Sequence, residues 1–317
     1  MTSMEAHGRS AEQQRGENGR SIPAILVYTF LACALAWLVA LPLWLGDGLA
    51  SPAALPLMLV MMCTPTIAAL AVVWKVDRPR RTAHALGFVP VTPVGRLIGY
   101  LALGLFLPIA LCVLALVIGS LLGLFPGDFT HFSGLQQITA AQLAQAGAPD
   151  MELPVATLIV GQFVNVFVAA LFINIIPALG EEIGWRGWLL PKLMRFGPWG
   201  AILISGIIWG LWHAPVILLG YNYTGTPGWL ALLAMIGFCT VMGGLFGWLR
   251  LRSGSVWAPA LAHSSLNAAA TLPLVFIAEN GVYDPLHANI TGWSGWLLPA
   301  ALVVVLVLAG RFAAREK

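Results

Sequence analysis

Charge is what this chain has least of. Only 9% of its 317 residues are Asp, Glu, Lys or Arg, against roughly 25% in soluble domains. That deficit excludes a water-facing surface over most of the chain. Hydrophobic residues make up 59%, and the mean hydropathy is +0.86. No soluble core absorbs so much apolar surface, so the solvent must be lipid. Cysteine is also scarce. Cys33, Cys63, Cys112 and Cys239 each lie in an apolar run, without a CxxC pair or a histidine at metal spacing. They read as small packing residues rather than disulfide or metal partners. No internal repeat and no pair of broken, duplicated helices occurs, which speaks against a transporter. No nucleic-acid partner is expected; the expected partner is the lipid bilayer.

What is present is a series of long apolar runs. The first twenty residues, MTSMEAHGRSAEQQRGENGR, are polar and charged, and predict a disordered cytoplasmic tail over 1–20. Residues 21–317 then form one membrane-embedded domain. The first apolar run is too long for a signal-peptide core and lacks a clear small-residue cleavage site, so it is expected to stay as a helix. A transmembrane helix needs about 20 mostly apolar residues. Eight stretches qualify: Ala24 to Leu45, Pro52 to Trp74, Leu97 to Phe125, Pro154 to Leu179 (or on to Leu190), Trp199 to Leu219, Gly228 to Leu249, Val256 to Ile277 and Trp293 to Gly310. The fold class is therefore all-α, a polytopic transmembrane helical bundle of about eight spans. The outer loop Pro126 to Leu153 contains LQQITAAQLAQAG and is expected to form a short surface helix.

The basic residues supply an orientation. With eight spans, all 16 Lys and Arg fall on one side: the two termini and the gaps near Lys75 to Arg96, Arg186 to Arg195 and Arg250 to Arg252. The other side carries Asp47, Asp128, Asp150, Glu152, Glu279 and Asp284, without a Lys or Arg. The positive-inside rule then puts both termini in the cytoplasm.

An ionisable group at the bilayer centre costs roughly 2.5–3.5 kcal/mol on insertion scales, so each is a functional suspect. Three short segments carry them. In Gly180-Glu181-Glu182-Ile183-Gly184-Trp185-Arg186, Glu182 and Arg186 are four apart and can pair, while Glu181 points about 100° away. The plainer reading is an interfacial Glu–Arg pair that anchors a helix end. His213 sits inside the apolar run ending Trp209-Gly210-Leu211-Trp212-His213-Ala214-Pro215; its plainer reading is a histidine bonded to a neighbouring carbonyl. In His263-Ser264-Ser265-Leu266-Asn267, His263 and Asn267 share a helix face; the plainer reading is polar glue between helices. Counting residues from the helix ends places His263 roughly 10 Å from the inner boundary, with Glu181 near that level. The three helices are thus expected to present Glu, His, His and Asn to one cavity open to the cytoplasm.

Such a set fits peptide hydrolysis, which needs an activated water, oxyanion stabilisation and a proton for the leaving amine. A carboxylate withdrawn into a low-dielectric cavity is the better base. Glu181 is the expected base, helped by His213, with His263 and the Asn267 amide donating to the oxyanion. One Glu and two His, here Glu181, His213 and His263, also match a catalytic zinc ligand set with a water in the open position. The sequence leaves both mechanisms open. No HExxH helix, GxSxG nucleophile or GxGD aspartate pair points elsewhere.

At these segments the chain resembles the CPBP family, which contains Rce1-type CAAX prenyl endopeptidases and bacterial bacteriocin-processing or immunity proteins. That family shows EExxxR, FxxxH and HxxxN or HxxxD motifs on successive later helices. Here they are Glu181 to Arg186, Trp209 to His213 and His263 to Asn267, within GEEIGWRGWLLP, SGIIWGLWHAP and SVWAPALAHSSLNA. Trp209 stands where the family usually has Phe. The resemblance covers roughly residues 154–271. It implies a metalloprotease-like intramembrane endopeptidase with Glu181, Glu182, Arg186, His213, His263 and Asn267 as motif residues, Arg186 in a structural role, and a divalent metal as an open question. The composition, rich in Ala, Gly and Arg with three lysines, suggests a bacterium, hence an integral protein of the plasma membrane. The alternative is a non-enzymatic immunity, scaffold or binding protein that keeps the motifs for shape.

Overall fold

The computed structural model of the chain describes residues 3–91, 93–148, 151 and 153–313, with side chains from Ile22 onward. The backbone is helical through α1 (Ser3–Leu45). The expected tail over 1–20 is part of that helix from Ser3, and its side chains lie outside the described residues. There follow α2 (Ala54–Met61), α3 (Thr64–Val72), the short α4 (Thr82–Ala85), the long α5 (Val94–Leu121) and α6 (Ser133–Gln145). Then come α7 (Val155–Val168), α8 (Ile175–Glu182), α9 (Leu190–Leu193), α10 (Gly197–Trp212), α11 (Ala214–Ile217), α12 (Gly228–Ser253), α13 (Trp257–Ala269), α14 (Pro273–Phe276) and α15 (Leu297–Leu308). Three π-helical turns interrupt this series, at Val73–Asp77, Ala169–Ile173 and Ile183–Leu189. Among the described residues there is no strand, only an isolated bridge between Gly127 and Ile277.

Among the described residues, six stretches are long and apolar enough to cross a membrane: Ile22–Leu45, Ala54–Asp77, Val94–Leu121, Val155–Ile173, Ile175–Trp212 and Gly228–Ser253. The protein is an integral membrane helical bundle. The last two expected spans are shorter than the hydropathy suggests. The stretch Val256 to Ile277 is broken after Ala269, and the final apolar helix is Trp293–Leu308. Pro273 explains the break, because a proline lacks the N–H that a continuing helix needs. The 38-residue stretch Ile175–Trp212 reverses at Gly197, whose φ of +74° only glycine adopts without strain. The expected surface helix in the outer loop is α6.

The loops gather at two ends. At one, Trp188 Nε1 donates to Asp77 Oδ2 at 2.8 Å, Lys192 Nζ meets the same oxygen at 2.9 Å, and Val256 N donates to Gly87 O at 2.8 Å. This is the end of the basic residues. At the other, Asp128 N donates to Phe276 O at 2.7 Å and Tyr223 Oη to Thr291 O at 2.9 Å. The partition of loops matches the partition of Lys and Arg in the sequence.

Close packing positions the site helices. Gly206 and Gly210 of α10 face Thr240 and Ile236 of α12, so two four-residue steps run in opposite directions along an antiparallel pair. Small residues at this spacing let membrane helices touch at backbone distance. Gly104 of α5 does the same against α13, where a Cβ would stand 2.8 Å from the Ala258 carbonyl oxygen. Helix α13 packs against α5, α8 and α12 and is buried nearly all round, which makes it the central helix of the second half.

Candidate active site

Helix α8 ends on the two glutamates, and the chain then widens into the π-helical turn Ile183–Leu189. π-helical turns are frequent at functional sites. The neighbouring carboxylates have separate surroundings. Glu182 is fully buried. Its Oε1 accepts Arg186 Nη1 at 2.6 Å and His263 Nδ1 at 3.0 Å. The Arg186 guanidinium lies 4.1 Å from the Trp209 ring centre and 5.3 Å from that of Phe246. Gly243 leaves room for it: a Cβ there would be 3.0 Å from Arg186 Nη2. A buried ion pair is tolerable only when further hydrogen bonds and good geometry offset desolvation, and this one has a histidine and two aromatic faces to help.

Glu181 points elsewhere. Its Oε2 accepts two indole N–H groups, from Trp209 at 2.8 Å and Trp185 at 3.2 Å. Both bonds fall on one oxygen, which fixes the carboxylate and leaves Oε1 to the cavity that Glu181 lines.

His213 follows the last residue of α10. Its backbone N–H bonds to Gly210 O at 3.1 Å instead of reaching back four residues. The Trp209 carbonyl is thereby released and takes His213 Nδ1 at 2.8 Å. A carbonyl can only accept, so Nδ1 carries the proton and Nε2 is the free nitrogen. The carbonyl-bonded histidine foreseen as the plainer reading is present, and the ring still lines the cavity. His263 follows the same logic: Nδ1 bonds to Glu182, leaving Nε2. It packs against Phe246 and Trp209, with ring centres 5.7 and 5.4 Å apart.

Glu181, His213, His263 and Asn267 line one cavity of about 300 Å³. Glu182 and Arg186 do not line it; they sit behind His263. Sequence reasoning missed several participants. Trp185 and Trp209 read as apolar rings, although an indole N–H must find an acceptor when buried. Trp209 uses the very position where the resembled family usually has Phe, so the departure adds a donor to Glu181. Met58, Met61 and Met62 form an apolar wall with Leu55 and Leu59, and Tyr221, Asn222, Ile290 and Thr291 line the far part.

Tyr221, Asn222, Ile290 and Thr291 of this lining come from the loops after α11 and after α14, and residues 183–190 at the basic end are all buried. For the metal, no group of three His, Cys, Asp or Glu that could hold an ion exists among the described residues. Glu181, His213 and His263 do not fit a zinc site as arranged.

Comparison with known proteins bears on the same part of the chain. Residues 163–269 match the family described as type II CAAX prenyl endopeptidase Rce1-like. This segment is similar to the Rce1-like family. The match contains all six residues named from the motifs. A CAAX prenyl protease 2 from Methanococcus maripaludis is 40% identical over 58 residues, which is 18% of this chain and 21% of that protein. Helices α1 to α5 lie outside the Rce1-like segment but touch it: Trp212 Nε1 donates to Thr64 Oγ1 at 2.9 Å, and Thr66 Oγ1 to Gly180 O at 2.5 Å.

Proposed function

We propose that the protein is an intramembrane endopeptidase that hydrolyses a peptide bond of a membrane-associated protein or peptide. The observation that carries this reading is the convergence of Glu181, His213, His263 and Asn267 on one cavity. Polar glue between helices needs no shared cavity; a hydrolytic site does. The Rce1-like segment and the similarity to a CAAX prenyl protease support the same reaction class.

In this mechanism a water in the cavity gives a proton to Glu181 Oε1. Its oxygen attacks the peptide carbonyl carbon, and the C=O electron pair moves to the carbonyl oxygen. His263 in its protonated form donates from Nε2 to that oxyanion, and the Asn267 amide donates beside it. The Glu181 proton passes to the leaving nitrogen as the C–N bond breaks. His213 Nε2 holds the water through an accepted hydrogen bond. Glu182 and Arg186 fix the His263 ring without touching substrate. The setting is the bacterial plasma membrane, with both termini in the cytoplasm by the positive-inside rule.

Glu181→Gln and His213→Ala test this reading. Cleavage of a co-expressed membrane substrate is expected to fall by about 10²–10⁴-fold, the usual worth of a positioned acid or base, at unchanged protein level. Full cleavage in both variants would refute the proposal. If instead protection against a bacteriocin survives both substitutions, the chain is a binding or immunity protein. Metal analysis and chelation of the same purified sample decide whether an ion assists.

A further inference from the structure

Helix α7 and the π-helical turn behind it make up the stretch Val155–Ile173, of which only 11% is buried, against 33–61% in the other five spans. Lipid therefore covers most of this stretch and should select apolar side chains all round it. It carries Gly161, Gln162 and Asn165 instead. Thr157, Gly161, Asn165 and Val168 follow one another at steps of four, four and three, so they share one face, and all are exposed. Asn165 lies ten residues into the stretch, about 15 Å at 1.5 Å per residue. That is half of the apolar thickness of a bilayer, roughly 30 Å. Its side-chain amide has no hydrogen-bond partner among the described residues. Packing within the chain does not call for Gly161 either. A Cβ there would meet nothing within 4 Å, whereas Gly206 and Gly210 each face a helix in contact.

We propose that this face of α7 packs against the same face of a second copy of the chain, about a twofold axis along the membrane normal. An amide at mid-bilayer is costly unless another polar group meets it, and acyl chains offer none. Two copies inserted in one orientation carry Asn165 at the same depth. The amide is its own complement: Oδ1 of each copy accepts from Nδ2 of the other. A twofold interface sets a residue against its own image in this way. Gly161, one turn away, lets the two backbones approach. Any other transmembrane helix would need a polar group of its own at that depth; a second copy necessarily has one. The inference does not depend on the endopeptidase reading.

Energy transfer between full-length chains labelled with a donor or an acceptor fluorophore, reconstituted together in liposomes over a range of protein-to-lipid ratios, tests the association. The native chain is expected to transfer more to its own copy than to an unrelated membrane protein of similar size. Asn165→Val and Gly161→Leu alter exposed positions and are expected to fold. Each should weaken the dimer by about threefold or more, and Asn165→Gln, which keeps the amide, should weaken it less than Asn165→Val. Association of Asn165→Val and Gly161→Leu equal to that of the native chain overturns the proposal. So does a native chain that transfers no more to its own copy than to the unrelated protein. Cross-linking checks the face. In a chain whose four native cysteines are replaced by alanine, Asn165→Cys is expected to give a disulfide-linked dimer in membranes on mild oxidation. Phe30→Cys, exposed on α1, is expected not to. Equal cross-linking at the two positions overturns the assignment to α7. If the cysteine-free chain fails to fold, the energy-transfer series decides alone.

Discussion

Glu181 and Glu182 are adjacent, yet their substitutions should fail in different ways. Glu182 is matched by Arg186 and His263 in a fully buried cluster. Removing one member of such a pair leaves an uncompensated charge and costs about 3–5 kcal/mol, whereas removing both charges together costs far less. Arg186→Met should therefore lower the thermal midpoint in detergent sharply, and adding Glu182→Gln to it should recover part of the loss. A midpoint for Arg186→Met equal to that of the native chain would mean that the pair is not the brace described. At Glu181 the informative change is Trp209→Phe. It keeps a ring near Arg186 and His263 but removes the donor at 2.8 Å. A hydrogen bond to a charged group is worth about 1.5–3 kcal/mol, so the midpoint should fall modestly and turnover by about tenfold or more. Equal turnover would show that Trp185 alone suffices to hold the carboxylate. The Glu182–Arg186 pairing was legible because helical spacing alone predicts it. The indole bonds were not, since Trp209 reaches Glu181 across 28 positions in sequence and only tertiary packing brings them together.

Whole helices follow rules that composition shows in part. The apolar runs were readable because lipid demands them, and the Pro273 break in the seventh run is visible once a proline is weighed as a helix stop. The π-helical turns were not readable: an extra residue in a turn changes length and facing but leaves hydropathy alone. The contact between α10 and α12 carries a prediction of its own. A Cβ on Gly206 would collide with Thr240, including its backbone, so the helices would have to separate. Gly206→Ala should destabilise by about 1–3 kcal/mol, read as a lower thermal midpoint; an unchanged midpoint would show that the helices are not locked at backbone distance. Asp128 gives a pH-dependent case in the loop before α6. The backbone N–H of His131, then the Ser133 hydroxyl and backbone N–H, hold its carboxylate well below the ordinary range. A depressed folded value means that its contribution is complete above the unfolded value of about 3.9. That contribution is lost as pH falls through the folded one. Limited proteolysis of this loop should show protection in the native chain at pH 4 that Asp128→Asn lacks at every pH. Equal cleavage of the two at neutral pH would dismiss the capping role.

At the scale of the molecule, the Rce1-like segment holds all six motif residues but does not hold itself together. Its floor is built by helices outside it. Thr64 and Thr66 of α3 bond to Trp212 and to the Gly180 carbonyl. Gly184 abuts Pro65 and the Tyr28 hydroxyl, where a Cβ would be 2.6 Å from either. Gly187 abuts the Leu86 carbonyl oxygen. The motifs made the site residues legible while hiding this dependence, because the first three runs show only hydrophobicity in sequence. Residues 154–271 expressed alone should therefore be degraded or aggregate, with the buried Glu182–Arg186 cluster left half-walled. A split within the loop between α6 and α7 should behave differently. Each half keeps its own membrane helices, which insert first and pack afterwards through contacts such as α3 on α8 and α5 on α13. Residues 1–148 co-expressed with 151–317 should co-purify and show the cleavage of the intact chain, and neither half alone should do so. Activity from 151–317 by itself would mean that α1 to α5 only shield the site from lipid, and that the second half builds the site unaided.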